Sequence, residues 1–170
     1  MKPISKETIE HADDFIFRLN DSQVKELMED FKKKQFNIWK EWKLNEDYSK
    51  TVERIDFTNR IVLVIFHAFN DYEVSVPPFS LREIDNCTKW WDVNATDSDD
   101  DESPTDFFLK MGEAIKQKEL CDYIVNKFIY QEETFNLFNK TEFSNIIADC
   151  ITIAALYSQK IKRLLPESSN

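Results

Sequence analysis

Residues 51–73, TVERIDFTNRIVLVIFHAFNDYE, hold the most apolar run of the chain, and the way they fold decides the architecture. Ile61, Val62, Leu63, Val64, Ile65 and Phe66 follow one another without a polar break. A one-sided amphipathic element would leave part of such a run in water, so this segment must be covered on most of its circumference. It is therefore expected at the centre of the core. On a helical wheel Glu53, Asp56, Arg60, His67 and Asp71 nonetheless fall on one narrow stripe. A helix here carries a single polar line, either an internal ladder of ion pairs or the solvent-facing edge of a mostly buried element. A competing reading makes 61–66 a strand and Asn70-Asp71 a turn into 72–76, a hairpin rich in β-branched residues.

The glycine count favours the helix. A single glycine, Gly112, occurs in 170 residues, where ordinary usage would supply about twelve. Turns and bulges that need a positive φ are correspondingly scarce, which disfavours a β-sandwich or barrel. One glycine also excludes the Gly-rich loops of dinucleotide-binding and P-loop proteins. The length fits one domain, able to bury roughly two thirds of its unfolded surface. The expected fold is mainly α: a single-domain, irregular bundle of five to seven helices, with 51–73 and 143–164 as its two core helices.

Periodicity places the remaining elements. Residues 5–19 put Ile9, Ala12, Phe15, Ile16 and Leu19 on one face, with Ser5 as cap. Glu7, His11, Asp14 and Arg18 on the opposite face read as solvated surface rather than a metal site, because the row ends in a cation. Asn20, Asp21 and Ser22 turn the chain into a second helix, about 22–43, striped by Val24, Leu27, Met28, Phe31, Ile38, Trp39 and Trp42. Phe36 lies off that stripe beside Trp39, making the pair a candidate partner-binding surface.

The prolines at 77 and 78 end whatever precedes them. Ser80 and Glu83 form a capping box for a short helix carrying Leu81, Ile84, Thr88 and Trp91 at helical spacing. Residues 93–104, VNATDSDDDESP, read as an acidic, flexible loop holding Asp97, Asp99, Asp100, Asp101 and Glu102. Its alternation falls short of a calcium-binding EF-hand, since Glu102 stands where glycine is required and Phe108 where the bidentate glutamate belongs.

Thr105 is expected to cap a helix to about 117 that continues, straight or with a break, to about 131. Phe107, Phe108, Met111, Ile115, Leu120, Tyr123, Ile124 and Phe128 face inward along it. Gly112 sits inside this helix, where it costs about 1 kcal/mol against alanine, and so predicts close approach of another helix. In the last helix Phe143, Ile147, Cys150, Ala154, Tyr157, Ile161 and Leu164 alternate steps of four and three, the seam of a helix packed lengthwise.

Charge narrows the partners. With 22 Lys and Arg against 32 Asp and Glu the net charge is −10, which disfavours direct nucleic acid binding and anionic membranes and leaves a basic protein as the expected partner. Three cysteines at wide spacing, Cys87, Cys121 and Cys150, with no CxxC pair and no signal-peptide pattern, predict a reducing, cytoplasmic setting. No apolar stretch approaches the ~20 residues of a membrane helix, so a soluble protein is expected. Cys150 reads as a core residue and not as a nucleophile.

Carboxylates are the only plentiful catalytic groups. Glu26 and Glu29 stand at i, i+3 on the second helix, and Glu53 and Asp56 at i, i+3 on the central one. Each pair points its oxygens the same way, and oxygen ligands from two helices suit Mg²⁺ shared with substrate phosphates. This ExxE, spacer, ExxD arrangement, with 23 residues between the pairs and IWKEW at 38–42, resembles the all-α nucleoside triphosphate pyrophosphatases of the dimeric dUTPase and MazG group. The likeness covers residues 24–72. It implies Mg²⁺ held by Glu26, Glu29, Glu53 and Asp56, and release of pyrophosphate from a nucleoside triphosphate.

By elimination the leading expectation is different. An acidic surface, surplus Trp and Phe and no Cys, His or glycine-loop site suit a non-enzymatic protein-binding module without a cofactor, an inhibitor, immunity protein or adaptor docking on a basic partner. Phe36, Trp39 and the acids Asp97, Asp99, Asp100, Asp101 and Glu102 are its candidate contact residues, and self-association remains open.

Overall fold

The computed structural model describes residues 2–42, 52–70, 76–96, 103–135 and 140–165. Among them are eight helices and no strand. They are α1 (Lys6–Phe17), α2 (Asp21–Lys34), α3 (Phe36–Trp42), α4 (Val52–Asn70), α5 (Leu81–Thr96), α6 (Pro104–Ala114), α7 (Lys118–Phe135) and α8 (Lys140–Leu164). The bundle is mainly α as expected, with one helix more than the upper bound of seven.

Two breaks divide the expected helices, and the first, which the sequence reading did not foresee, supplies the eighth. The expected 22–43 helix divides at Gln35, whose backbone leaves the helical region at φ −131°, ψ 47°. Its buried side chain donates to the Val76 carbonyl at 3.4 Å and accepts from the Phe79 amide at 3.2 Å. Asn37 donates to the Phe79 carbonyl at 2.7 Å. The helix is interrupted where a side chain is needed to satisfy a proline-containing segment that supplies few donors of its own. The second break follows Ile115. Lys116 adopts φ 59°, Gln117 N–H bonds the Gly112 carbonyl and Lys116 N–H bonds that of Glu113. This is the paired 6→1 and 5→2 pattern that closes a helix C-terminus through a left-handed residue.

Residues 61–66 are helical, which overturns the first strand of the hairpin; 71–75 lie outside the described residues. Ile61 through Ile65 are buried and Phe66 half-buried. α4 packs against α1, α2 and α8, and α8 packs against α4, α5, α6 and α7, so the two helices expected in the core stand back to back at its centre. α8 is more enclosed than a single seam predicts: every residue from Cys150 to Ser158 is buried. Small side chains at Ala154, Ala155 and Ser158 let neighbours approach from several sides at once. Aromatic rings fill the gap between the centres, with Tyr157 of α8 stacked on Phe69 of α4 at 5.2 Å and edge-on to Phe79 at 5.1 Å.

Three smaller expectations shift. α6 is capped by Ser103, whose hydroxyl accepts from Asp106 N–H at 3.1 Å with Pro104 at the first helical position, and not by Thr105. On α5 the capping box forms as read, but Leu81 is 56% exposed and Thr88 is exposed, while Ile84 and Cys87 point inward. Helical backbone also extends through Thr96, four residues into the expected acidic loop, whose residues 97–102 lie outside the described set.

Gly112 meets its expected neighbour. A Cβ there would stand 2.6 Å from Cys121 Cβ of α7, closer than carbon atoms pack. Gly112→Ala is therefore expected to destabilise by about 1–3 kcal/mol, overcoming alanine's better helix propensity. Chemical denaturation measures this, and an unchanged or raised midpoint would mean that α6 and α7 part freely.

Glu83 links α5 to α8. It accepts from Ser80 N–H and Oγ, both at 2.8 Å, and pairs with Lys160 at 3.0 Å. Lys160 also donates to the Pro78 carbonyl at 3.1 Å and lies 4.8 Å over the Phe79 ring. Burial pushes the Glu83 carboxyl up, but the bonds from Ser80 and Lys160 outweigh it and hold the group below its ordinary 4.5. A depressed folded value stabilises above the unfolded value and is lost as pH falls through the folded one. Glu83→Gln should therefore be less stable than the parent at neutral pH, with the gap closing below pH 4.5. Urea titrations at neutral pH and near pH 3 test this; a gap independent of pH would refute it.

Candidate functional site

The Asn20 capping box, with Gln23 N–H accepted at 3.1 Å and Asn20 N–H donated to Gln23 at 3.0 Å, fixes the start of α2. From there Val24, Met28 and Phe31 recur at steps of four and three and are buried, which lays this side of α2 on α4. Residues one step round the helix, Lys25 and Glu29, then border the contact. On α4 the polar line of Asp56, Asn59 and Arg60 comes to the same border.

Between the two helices lies a groove of about 600 Å³. Its apolar lining comes from Val24, Met28 and Ile55, and its carboxylates are Asp21 and Glu29 from α2 and Glu53 and Asp56 from α4. Lys25 and Asn59 complete it. Three of the four expected carboxylates thus share one groove. Glu26 does not: it is exposed and absent from the lining, because two residues from Val24 and from Met28 place it on the far side of α2.

Arg60 fixes the carboxylates from behind. The residue is 8% exposed, and its Nε donates to Asp56 at 2.7 Å while Nη2 reaches Asp21 at 3.4 Å. Nη1 donates to the carbonyls of Ile16 and Leu19, each at 3.0 Å. Those carbonyls stand at the C-terminal end of α1, where a cation is favoured; that of Ile16 also accepts from Leu19 N–H at 3.2 Å. One guanidinium therefore joins three helices. The polar stripe of α4 is in this part the internal ion-pair ladder of the sequence reading; His67, further along, stacks on Phe15 at 4.8 Å, and Asp71 lies outside the described residues.

The groove's chemistry is that of carboxylates and amines. Its described lining contains no hydroxyl, thiol or imidazole to serve as nucleophile or neutral-pH base. Glu29 lies 3.8 Å from Lys32, Asp56 is held by Arg60, and Glu53 is exposed. Among the described residues no three Asp, Glu, His or Cys side chains converge closely enough to hold a metal ion. The cysteines are all buried, and burial pushes the Cys87 and Cys121 thiols up to about 12, so neither is a thiolate at neutral pH. Cys150 is raised for the same reason, and it packs in the core as expected.

Phe36 is 51% exposed and stacks on Trp39 at 6.1 Å, with Lys32 Nζ 4.0 Å over the indole. This pair stands on α3, just past the end of α2. The row Glu7, His11, Asp14 and Arg18 has Asp14 paired to Arg18 at 2.8 Å on an exposed face. The acids Asp97, Asp99, Asp100, Asp101 and Glu102 lie outside the described residues. Sequence reading missed the parts of the groove played by Asp21, Lys25 and Asn59. Asp21 was legible only as turn chemistry, whereas the i, i+4, i+8 spacing of Asp21, Lys25 and Glu29 on one face of α2 was the available signal.

No helix among the described residues is long and apolar enough to cross a membrane. Comparison with known proteins finds no matching family, no matching curated protein and no matching solved structure. The likeness to the all-α pyrophosphatases rests on the spacing of the carboxylates and the IWKEW stretch alone.

Proposed function

We propose that the chain is a non-enzymatic protein-binding module that docks a basic partner in the α2–α4 groove. The observation that carries this is the composition of the groove: Asp21, Glu29, Glu53 and Asp56 around an apolar lining, in a chain of net charge −10. Such a surface steers a cationic partner by its field, and the half-buried Ile55 offers it an apolar contact. The exposed Phe36 on Trp39 offers an aromatic anchor of the kind that dominates interfaces, close in sequence to the same helix.

A photo-crosslinking side chain at Lys25 should capture one basic protein from cells that make this chain, and the same group at exposed Glu10 should not. The purified pair should then lose affinity as sodium chloride rises from about 50 mM to about 300 mM, since the screening length shortens from roughly 14 Å to roughly 6 Å in that range. An affinity indifferent to salt would defeat electrostatic docking.

A second reading is kept by one observation, that Glu29, Glu53 and Asp56 of the pyrophosphatase-like motif share the groove. Under it, protein with Mg²⁺ releases pyrophosphate from at least one nucleoside triphosphate, and Glu53→Gln abolishes this by removing a negative metal ligand. A Mg²⁺-specific rise in melting temperature, absent with sodium chloride of equal ionic strength and lost in Glu53→Gln, would replace the first reading with this one.

A further inference from the structure

We draw no further inference here: the strongest candidate, the cavity of about 170 Å³ where Trp90 of α5, Lys116 at the end of α6 and Lys162 of α8 meet, rests on two exposed lysines, and nothing in the structure shows what covers it.

Discussion

Ala154→Asp is expected to leave no cooperatively folded protein at room temperature. Ala154 is fully buried at the middle of α8, inside the nine-residue stretch from Cys150 to Ser158 in which every side chain is out of water. Its neighbours Ile151, Ile153, Ala155 and Tyr157 offer no cation, and α8 is enclosed by α4, α5, α6 and α7. A carboxylate placed there is either charged and unpaired or protonated and short of hydrogen-bond partners, at several kcal/mol in the first case. The added volume must also be taken up by a packed interior, at about another 1–3 kcal/mol. Against a typical total stability of about 5–15 kcal/mol, the sum removes most or all of what holds the fold. The comparison is Asn145→Asp, exposed on the same helix, which should change stability by no more than about 0.5 kcal/mol. Thermal melts followed by far-UV circular dichroism decide the matter. A melting temperature of Ala154→Asp equal to that of Asn145→Asp would remove α8 from the core.

The prominence of α8 and α4 was readable from residue type alone. An uninterrupted apolar run at 61–66 and an unbroken four-three alternation from Phe143 to Leu164 each require a partner on the buried side, and the two provide it for each other. Local chemistry was equally legible where both groups of an interaction lie within one turn, as with Ser5 and Thr8 or Ser80 and Glu83. What was not legible depends on partners far away in the chain. Gln35 has good helix propensity, and nothing within ten residues shows that its amide will be turned inward to serve Val76 and Phe79. Gln117 is the same case: buried, it accepts from Ile4 N–H at 3.0 Å and donates to Ser158 at 3.4 Å, tying the two ends of the chain to the α6–α7 corner.

The candidate site divides along the same line. Glu29, Glu53 and Asp56 were found by their spacing, because i, i+3 neighbours on a helix share a side whatever surrounds them. Whether Glu26 joins them depends on which side of α2 meets α4, and that is set by Val24, Met28 and Phe31. The stripe was visible in the sequence, but the spacing of the four acids carried no information about the angle between the two helices. Leu81 and Thr88 on α5 repeat the point. They match a helical period, yet Ile84 and Cys87 face α8, where the Cys87 thiol lies 3.9 Å from the Thr152 carbonyl.

Arg60→Met should lower the stability by about 3–5 kcal/mol. The side chain is 10% exposed and its partners differ in what they lose. Asp21, 95% exposed, returns to water at little cost, and Asp56, 36% exposed, at a moderate one. The Leu19 carbonyl fares worst, since methionine offers it no donor, whereas the Ile16 carbonyl keeps the Leu19 N–H at 3.2 Å. Double substitution separates these parts. If the orphaned carboxylate dominates, Asp56→Leu added to Arg60→Met recovers most of the loss; if the carbonyl contacts dominate, as expected from the Leu19 carbonyl, it recovers less than half. Arg60→Lys should fall between parent and Arg60→Met, because an ammonium keeps the charge but cannot span two carbonyls and two carboxylates with one nitrogen. Urea unfolding of the four proteins gives the numbers directly. A loss below about 1 kcal/mol in Arg60→Met would show that water replaces the guanidinium at the end of α1, and Asp56 would then need another account of what holds it in place.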